Sequence, residues 1–118
     1  MSELMLSPLS EVPVLEHDVL DFIADTFSAL GDPTRCRIVY WLVQQEYSVG
    51  KLAEQVGVSV SAVSHHLARL RDQRVVRARR KGSQVFYSVD DRHVARLFIE
   101  ALHHLEHVRR NLPDHPLS

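Results

Sequence analysis

The chain is poor in cysteine, and its first 34 residues carry no Lys or Arg. The single cysteine, Cys36, excludes an intrachain disulfide and any zinc site built from several thiolates of one chain. The early residues are acidic, with seven Asp and Glu in positions 1–34, which is unlike a signal peptide. No apolar run is long enough to span a membrane. We therefore expect a cytoplasmic protein without membrane contact.

Motifs of the common catalytic centres are also missing. The sequence has no Gly-rich phosphate loop and no Ser-His-Asp arrangement, so an enzyme is not expected. Its 118 residues, 45% hydrophobic and 25% charged, suit one small globular domain. We expect that domain at residues 16–110, between a flexible arm at 1–15 and a flexible tail at 111–118 that each contain two prolines.

Basic residues are concentrated in one window, although the net charge is only −1. Residues 69–81 hold seven of the fourteen Lys and Arg, against one acid, Asp72. A strip this basic is typical of a surface that contacts phosphate groups. A solvated charged face is the more common interpretation of a charge run, but the neighbouring segments favour phosphate contact.

Apolar residues at helical spacing predict four helices before this strip ends. The first begins near Glu16, and the second begins with Asp32 as N-cap and Pro33 as its first residue. The apolar positions of the four helices are Leu20, Ile23, Ala24, Phe27 and Leu30; Ile38, Val39, Trp41 and Leu42; Leu52, Ala53 and Val56; and Val63, Leu67 and Leu70.

The third and fourth helices form a helix-turn-helix pattern. Ser48 is expected to cap the third helix, and Ser59 or Ser61 the fourth, with a tight turn at residues 57–59 between them. A helix, a short turn containing Gly and a second helix are typical of a DNA-binding corner.

A basic hairpin follows directly. Residues 75–79 and 84–89 are predicted to be strands, and residues 80–83 (RKGS) a turn. A basic hairpin after a helix-turn-helix is a wing. The predicted fold is therefore mainly α with a β-hairpin wing, a winged helix-turn-helix.

The second helix of a helix-turn-helix lies in the major groove, with its first residues near base edges. Here those residues are short hydroxyl and imidazole side chains, and the wing supplies cations for phosphates or the minor groove. The expected contacts to double-stranded operator DNA are Ser59, Ser61, Ser64, His65, Arg69, Arg79, Arg80 and Lys81. Capping is an alternative role for Ser59 and Ser61, and partial burial is favoured for His66.

The last predicted helix, from Asp90 to about His107, contains four residues of metal-binding type: Asp91, His93, His104 and His107. An α-helix turns about 100° per residue, so His104 and His107 lie about 20° and 40° to either side of His93. His93 and His104 are nevertheless roughly 16.5 Å apart along the axis, so one metal cannot contact both within one helix. An antiparallel second copy would complete the site. The spacing therefore predicts a homodimer through the terminal helices with two equivalent metal sites.

Each residue of this set also has an ordinary role, such as helix capping for Asp91. As a set, three imidazoles and a carboxylate suit Zn(II) or Co(II) in tetrahedral geometry. Ni(II) prefers more ligands. His17 or His115 could supply one, but neither is expected to be a ligand, and Cys36 alone offers no thiolate site. A structural zinc clamp or a pH switch is the alternative to a sensor. A hydrolase is disfavoured because four protein ligands leave no open coordination position.

These features resemble the ArsR/SmtB family of bacterial metal-sensing repressors over about residues 20–108. The Asp-x-His and His-x-x-His pairs and four other segments carry the resemblance: 29–35 (ALGDPTR), 52–57 (LAEQVG), 61–67 (SAVSHHL) and 86–89 (FYSV). It implies an apo-dimer that binds an inverted-repeat operator and is released by Zn(II), Co(II) or Ni(II), which derepresses metal efflux or homeostasis genes. Other subgroups carry a Cys-x-Cys pair at the third helix, and residues 47–50 (YSVG) lack it.

Overall fold

The computed structural model describes residues 16–111, which form a winged helix-turn-helix as predicted. The elements in chain order are α1 (His17–Leu30), α2 (Pro33–Leu42), β1 (Tyr47–Ser48), α3 (Val49–Val56), α4 (Val60–Asp72), β2 (Val76–Lys81), β3 (Gln84–Val89) and α5 (Arg92–Asn111). The arm expected at 1–15 and residues 112–118 of the expected tail lie outside the described residues. None of these helices is long and apolar enough to cross a membrane.

The core lies between α2, α3, α4 and the start of β2. The apolar positions predicted for these three helices are buried, with the exception of Trp41, which is half-buried. Trp41 lies at the rim of the core, where its ring packs edge-to-face against Tyr40 and Tyr47 at 5.3 and 6.2 Å. Burying a Leu or Ile side chain fully contributes roughly 1.5–3 kcal/mol, so the fully buried Ile38, Leu52 and Leu67 stabilise this core strongly.

Side-chain caps fix where these three helices begin. Asp32 accepts the backbone N–H of Arg35 at 3.0 Å, Ser48 that of Lys51 at 3.3 Å, and Ser59 that of Ala62 at 3.0 Å. Ser59, and not Ser61, is therefore the cap of α4. The N–H of Arg35 is also the main reason why the pKa of Asp32 lies below its ordinary value, because it stabilises the ionised carboxylate.

The turns of the helix-turn-helix and of the wing depend on left-handed backbone. Gly57 ends α3 with a φ of 84°, and Gly82 has a φ of 63° between β2 and β3. The prediction that Arg80 and Lys81 lie in the turn was wrong, because Lys81 pairs with Gln84 and both cations belong to β2. The hairpin closes with two residues, Gly82 and Ser83, the loop length that best matches the twist of paired strands.

The sheet has three strands in the order β1-β3-β2, one more than the hairpin that was predicted. Tyr47 and Ser48 pair with Tyr87 and Phe86. This short strand attaches the wing to the connection between α2 and α3.

The terminal helices differ from the rest of the fold. Leu20, Ile23 and Phe27 of α1, although regularly spaced, are 47%, 41% and 58% exposed. The last helix runs from Arg92 to Asn111, later at both ends than predicted. The Asp91 side chain caps the start of this helix. Arg109 and Arg110 stabilise its end, because their positive charges interact favourably with the negative end of the helix dipole.

Candidate DNA-binding surface and metal site

One face of α4 is free of the core. Val63, Leu67 and Leu70 anchor the helix from its inner side, where each is 0% exposed. Ser61, Ser64 and His65, predicted to contact DNA, lie on the exposed outer side together with the cap Ser59. This placement leaves hydroxyl and imidazole groups available at the start of the second helix of the motif, the part that meets base edges in such folds.

Val60 belongs to the same surface and was missed by the sequence analysis. It is the first residue of α4 and is 50% exposed. An apolar side chain at this place suits the methyl group of a thymine in the major groove. The sequence does show that Val60 directly follows the capping Ser59, at the end of the helix that meets DNA. It was overlooked because a valine is ordinarily assigned to the core.

Arg69 and His66 face the body of the protein instead. The Arg69 guanidinium donates to Ser28 Oγ of α1 at 3.4 Å, and Arg69 is half-buried. His66 is half-buried, as favoured, with its Nδ1 3.3 Å from Nη1 of Arg35. The structure therefore places Arg69 apart from the exposed Ser61, and both contacts connect α4 to α1 and α2.

The wing carries its cations on two faces. Alternation along β2 puts Arg80 on one face and Arg79 and Lys81 on the other, and all three are exposed. Arg79 differs from its neighbours because it is already paired: its Nε and Nη2 donate to the two carboxylate oxygens of Glu46 at 3.0 and 2.7 Å. These hydrogen bonds are the main cause of the lowered pKa of Glu46, aided by the charges of Arg79, Arg77 and Lys81.

The first pair of candidate metal ligands lies at the start of α5. Asp91 Oδ1 accepts the backbone N–H groups of His93 and Val94 at 2.9 and 3.1 Å, so Asp91 caps the helix. The His93 ring is close by, with Nδ1 3.7 Å from the same oxygen. Both side chains are mostly exposed, at 52% and 83%. Capping uses Oδ1, and Oδ2 stays available as a metal ligand.

The second pair, His104 and His107, lies near the other end of α5 and is exposed. Asn111, one residue into the predicted tail, places its amide nitrogen 2.8 Å from Nε2 of His107. Within residues 16–111 of a single chain, no three His, Cys, Asp or Glu side chains come together as a metal site. A metal held by all four predicted ligands therefore needs donors from two chains.

The other histidines and the cysteine lie elsewhere. His17 is the exposed first residue of α1, and His115 lies outside the described residues. The Cys36 thiol donates to the carbonyl oxygen of Leu30 at 3.0 Å. Burial, and next the charge of Asp32, raise the pKa of this thiol, which disfavours the thiolate that a metal would bind.

A cleft of about 510 Å³ adjoins the first ligand pair. Asp91 and His93 line it together with Phe22 and Thr26 of α1 and with Val94, among others. The first ligand pair is thus open to solvent beside a partly apolar surface, where a second protein segment has room to approach.

A winged helix-turn-helix with a basic wing and an exposed recognition face defines a DNA-binding protein. Residues 32–78 match the family described as bacterial regulatory protein, arsR family. The transcriptional regulator KmtR of Mycobacterium tuberculosis is 41% identical over 101 residues, covering 86% of this chain and 78% of that protein. The transcriptional repressor SmtB homolog of Synechocystis is 46% identical over 93 residues, covering 79% and 70%.

A solved structure is similar throughout the fold. It is the homodimeric winged helix-turn-helix DNA-binding domain of a possible ArsR-family transcriptional regulator from Mycobacterium bovis, which matches with a TM-score of 0.72 at 27% identity, over 91% of this chain and 100% of that one. The chain belongs to the arsR family of bacterial regulatory proteins. Members of this family regulate transcription and are not enzymes.

Proposed function

We propose that this chain is a homodimeric repressor that binds an inverted-repeat operator and is released from it by Zn(II), with Co(II) or Ni(II) as further effectors. The observation that carries the proposal is the position of the two ligand pairs. Asp91 with His93 and His104 with His107 lie exposed at opposite ends of α5. Each pair offers two donors, too few for a four-coordinate metal. Together they supply one carboxylate and three imidazoles, which make up four ligands.

The dimer is inferred from the apolar side chains that the terminal helices expose. On α5, Leu97, Leu102 and Leu105 are 40%, 44% and 37% exposed, and α1 adds Leu20 and Phe27 at 47% and 58%. Large apolar patches are uncommon on monomers and mark surfaces where proteins associate. In a two-fold dimer the same patch of each chain contacts its copy on the other chain. One pair of α5 helices therefore provides the interface and also two equivalent metal sites.

The donor set fits the proposed metals. Three imidazole nitrogens and one carboxylate oxygen match Zn(II) and Co(II), which take four ligands in tetrahedral geometry. When bound, the metal supplies the binding energy that favours the dimer geometry in which the two ligand pairs meet. Asp91, which caps α5 through Oδ1, would hold the metal through Oδ2, so the same residue would fix the ligand position and the start of the helix.

Release from the operator then follows from thermodynamic linkage. The dimer presents two α4 helices, and their spacing must match successive major grooves. If the metal favours a spacing that does not match, metal and DNA weaken each other's binding by the same factor, typically about 5- to 150-fold. Release derepresses metal efflux or homeostasis genes. A regulator that reads operator DNA acts where the DNA is, so we place it in the cytoplasm.

The test is a metal titration of the dimer bound to a duplex recovered by in vitro selection, followed by fluorescence anisotropy. Zn(II) should weaken DNA binding by at least about fivefold. The double variant His104→Ala/His107→Ala should bind the duplex normally and lose the response. His103→Ala, an exposed histidine of the same helix outside the ligand set, is the matched control and should respond like wild type.

Unchanged DNA affinity at saturating Zn(II), Co(II) and Ni(II) would refute the sensor. If the double variant loses its dimeric fold, the histidines form a structural clamp instead.

A further inference from the structure

The outer face of the wing is the side of the sheet that carries Arg77, Arg79, Lys81 and Phe86. The opposite face carries Tyr47 and Tyr87, which pack toward the core. Arg79 of β2 is paired with Phe86 of the central strand, and Phe86 is paired with Ser48 of β1. Glu46 lies two residues before Ser48, so it reaches the same face. The Arg79 side chain thus spans the sheet from its edge strand to the segment before β1.

The contact between Arg79 and Glu46 is specific in geometry. Two parallel hydrogen bonds of 3.0 and 2.7 Å join the guanidinium to both carboxylate oxygens. The guanidinium carbon also lies 5.4 Å from the centroid of the Phe86 ring. A planar fork with two donors forms both contacts at once, which a lysine cannot do.

Given the proposed DNA binding, on which this inference rests, we propose that Glu46 is a positioning residue for the operator complex. Arg79 supports the wing by pairing with Glu46 and is not a phosphate ligand. The pair connects the wing hairpin to the body through the segment before β1. An isolated two-stranded hairpin is only marginally stable in water, and the third strand here, β1, is only two residues long, so the ion pair gives the wing a further attachment to the body. Holding it in place before DNA arrives lowers the ordering cost of binding and sets the approach of Arg80 and Lys81.

Charge alone predicts the opposite change in DNA affinity when Glu46 is replaced. Glu46 is an acid among the wing cations Arg77, Arg79 and Lys81, so by charge alone its removal should strengthen DNA binding. If Glu46 only repels DNA, Glu46→Gln binds the duplex more tightly. If it positions the wing, the same substitution weakens binding, although it removes a negative charge.

The experiment measures the affinity of the full-length dimer for the selected duplex across a range of salt concentrations. Glu46→Gln and Arg79→Lys should each weaken binding about threefold, the scale of one exposed ion pair, and the double variant should be no weaker than either. Arg79→Lys keeps the charge and loses the fork, so it tests geometry alone. Because the two side chains are 53% and 33% exposed, these variants are expected to fold.

The salt dependence identifies the phosphate ligands. The slope of log K against log salt concentration is negative, and replacing a residue that contacts one phosphate reduces its magnitude by about 0.9. Lys81→Gln should show this loss, and Arg79→Gln should leave the slope as in wild type. Tighter binding by Glu46→Gln, or a slope loss in Arg79→Gln equal to that of Lys81→Gln, would overturn the inference. If wild type selects no duplex, the proposed function fails and this inference fails with it.

Discussion

The helix-turn-helix unit and the two terminal helices use their apolar residues in different ways. In α2, α3 and α4 most apolar residues point into one shared core, and Ile38, Leu52 and Leu67 are 0% exposed. In α5 no residue is buried, and in α1 only Ala29 is. The first unit thus satisfies its hydrophobic surface within the chain. The terminal helices pack Leu30, Val94 and Phe98 against that core but leave Leu20, Phe27 and Leu102 exposed, which is why we infer that a second chain covers these exposed side chains.

The largest expected effect lies in the helix-turn-helix core. Leu67→Ala should lower the free energy of unfolding by about 3 kcal/mol, because it removes fully buried methyl groups and leaves a cavity. The measurement is urea denaturation at several protein concentrations. Leu102→Ala on α5, 44% exposed, is the matched control. Its smaller effect should grow with protein concentration, because it acts through the dimer. Equal losses, independent of concentration, would remove the distinction between the two regions.

The next effect concerns association alone. Phe27→Ala should raise the dimer dissociation constant about tenfold, because the α1 ring is expected to be buried between chains. Tyr40→Ala provides the control, since Tyr40 is an aromatic residue of similar exposure, 45% against 58%, on α2. Sedimentation equilibrium gives both constants. If Tyr40→Ala dissociates the dimer and Phe27→Ala does not, the interface involves α2 and not α1.

A smaller effect distinguishes the two serines at the start of α4. Ser59→Ala should cost about 1 kcal/mol of unfolding free energy, because the N–H of Ala62 loses its cap. Ser61→Ala should change stability little and act on DNA affinity instead. Thermal unfolding and anisotropy on the same two variants give this comparison. A stability loss in Ser61→Ala and none in Ser59→Ala would contradict the assignment of the cap.

The smallest effect is a pH dependence at the start of α2. The pKa of Asp32 is held below its ordinary value of 3.8, mainly by the N–H of Arg35. The ionised cap therefore stabilises the fold fully above that ordinary value, and this contribution is lost as pH falls through the lower pKa of the folded state. Asp32→Ser keeps a cap that does not titrate, so its stability difference from wild type should shrink on acidification. A difference that does not change with pH would contradict this cause.

The fold was readable from the sequence where its signals were local. Helical spacing, the capping residues Asp32 and Ser48, and β-forming residues after a basic strip predicted the helices and the wing. The strand β1 was missed because Tyr47 becomes a strand residue only by pairing with Tyr87, forty residues later along the chain. The exposure of the α1 stripe was equally hidden, since spacing reveals an apolar face and not what covers it.

The candidate site divides in the same way. The relative positions of the four ligands on α5 could be predicted because each residue of a helix adds a fixed rotation and a fixed rise. The pairing of Arg79 with Glu46 and the contact of Arg69 with Ser28 were not, because they join residues 33 and 41 positions apart. Charge counting therefore grouped Arg69, Arg79 and Lys81 as equals, although the structure gives the first two other partners.

The most direct test of the central claim mixes two variants that each lack one half of the metal site. Asp91→Ala/His93→Ala and His104→Ala/His107→Ala should each fail to give the visible absorption of tetrahedral Co(II). After subunit exchange, about half of the dimers are mixed, and each contains one intact site of the two in wild type. Absorption should then return to about a quarter of the wild-type value per chain. Co(II) binding by either variant alone, or none after mixing, would contradict a site shared between chains.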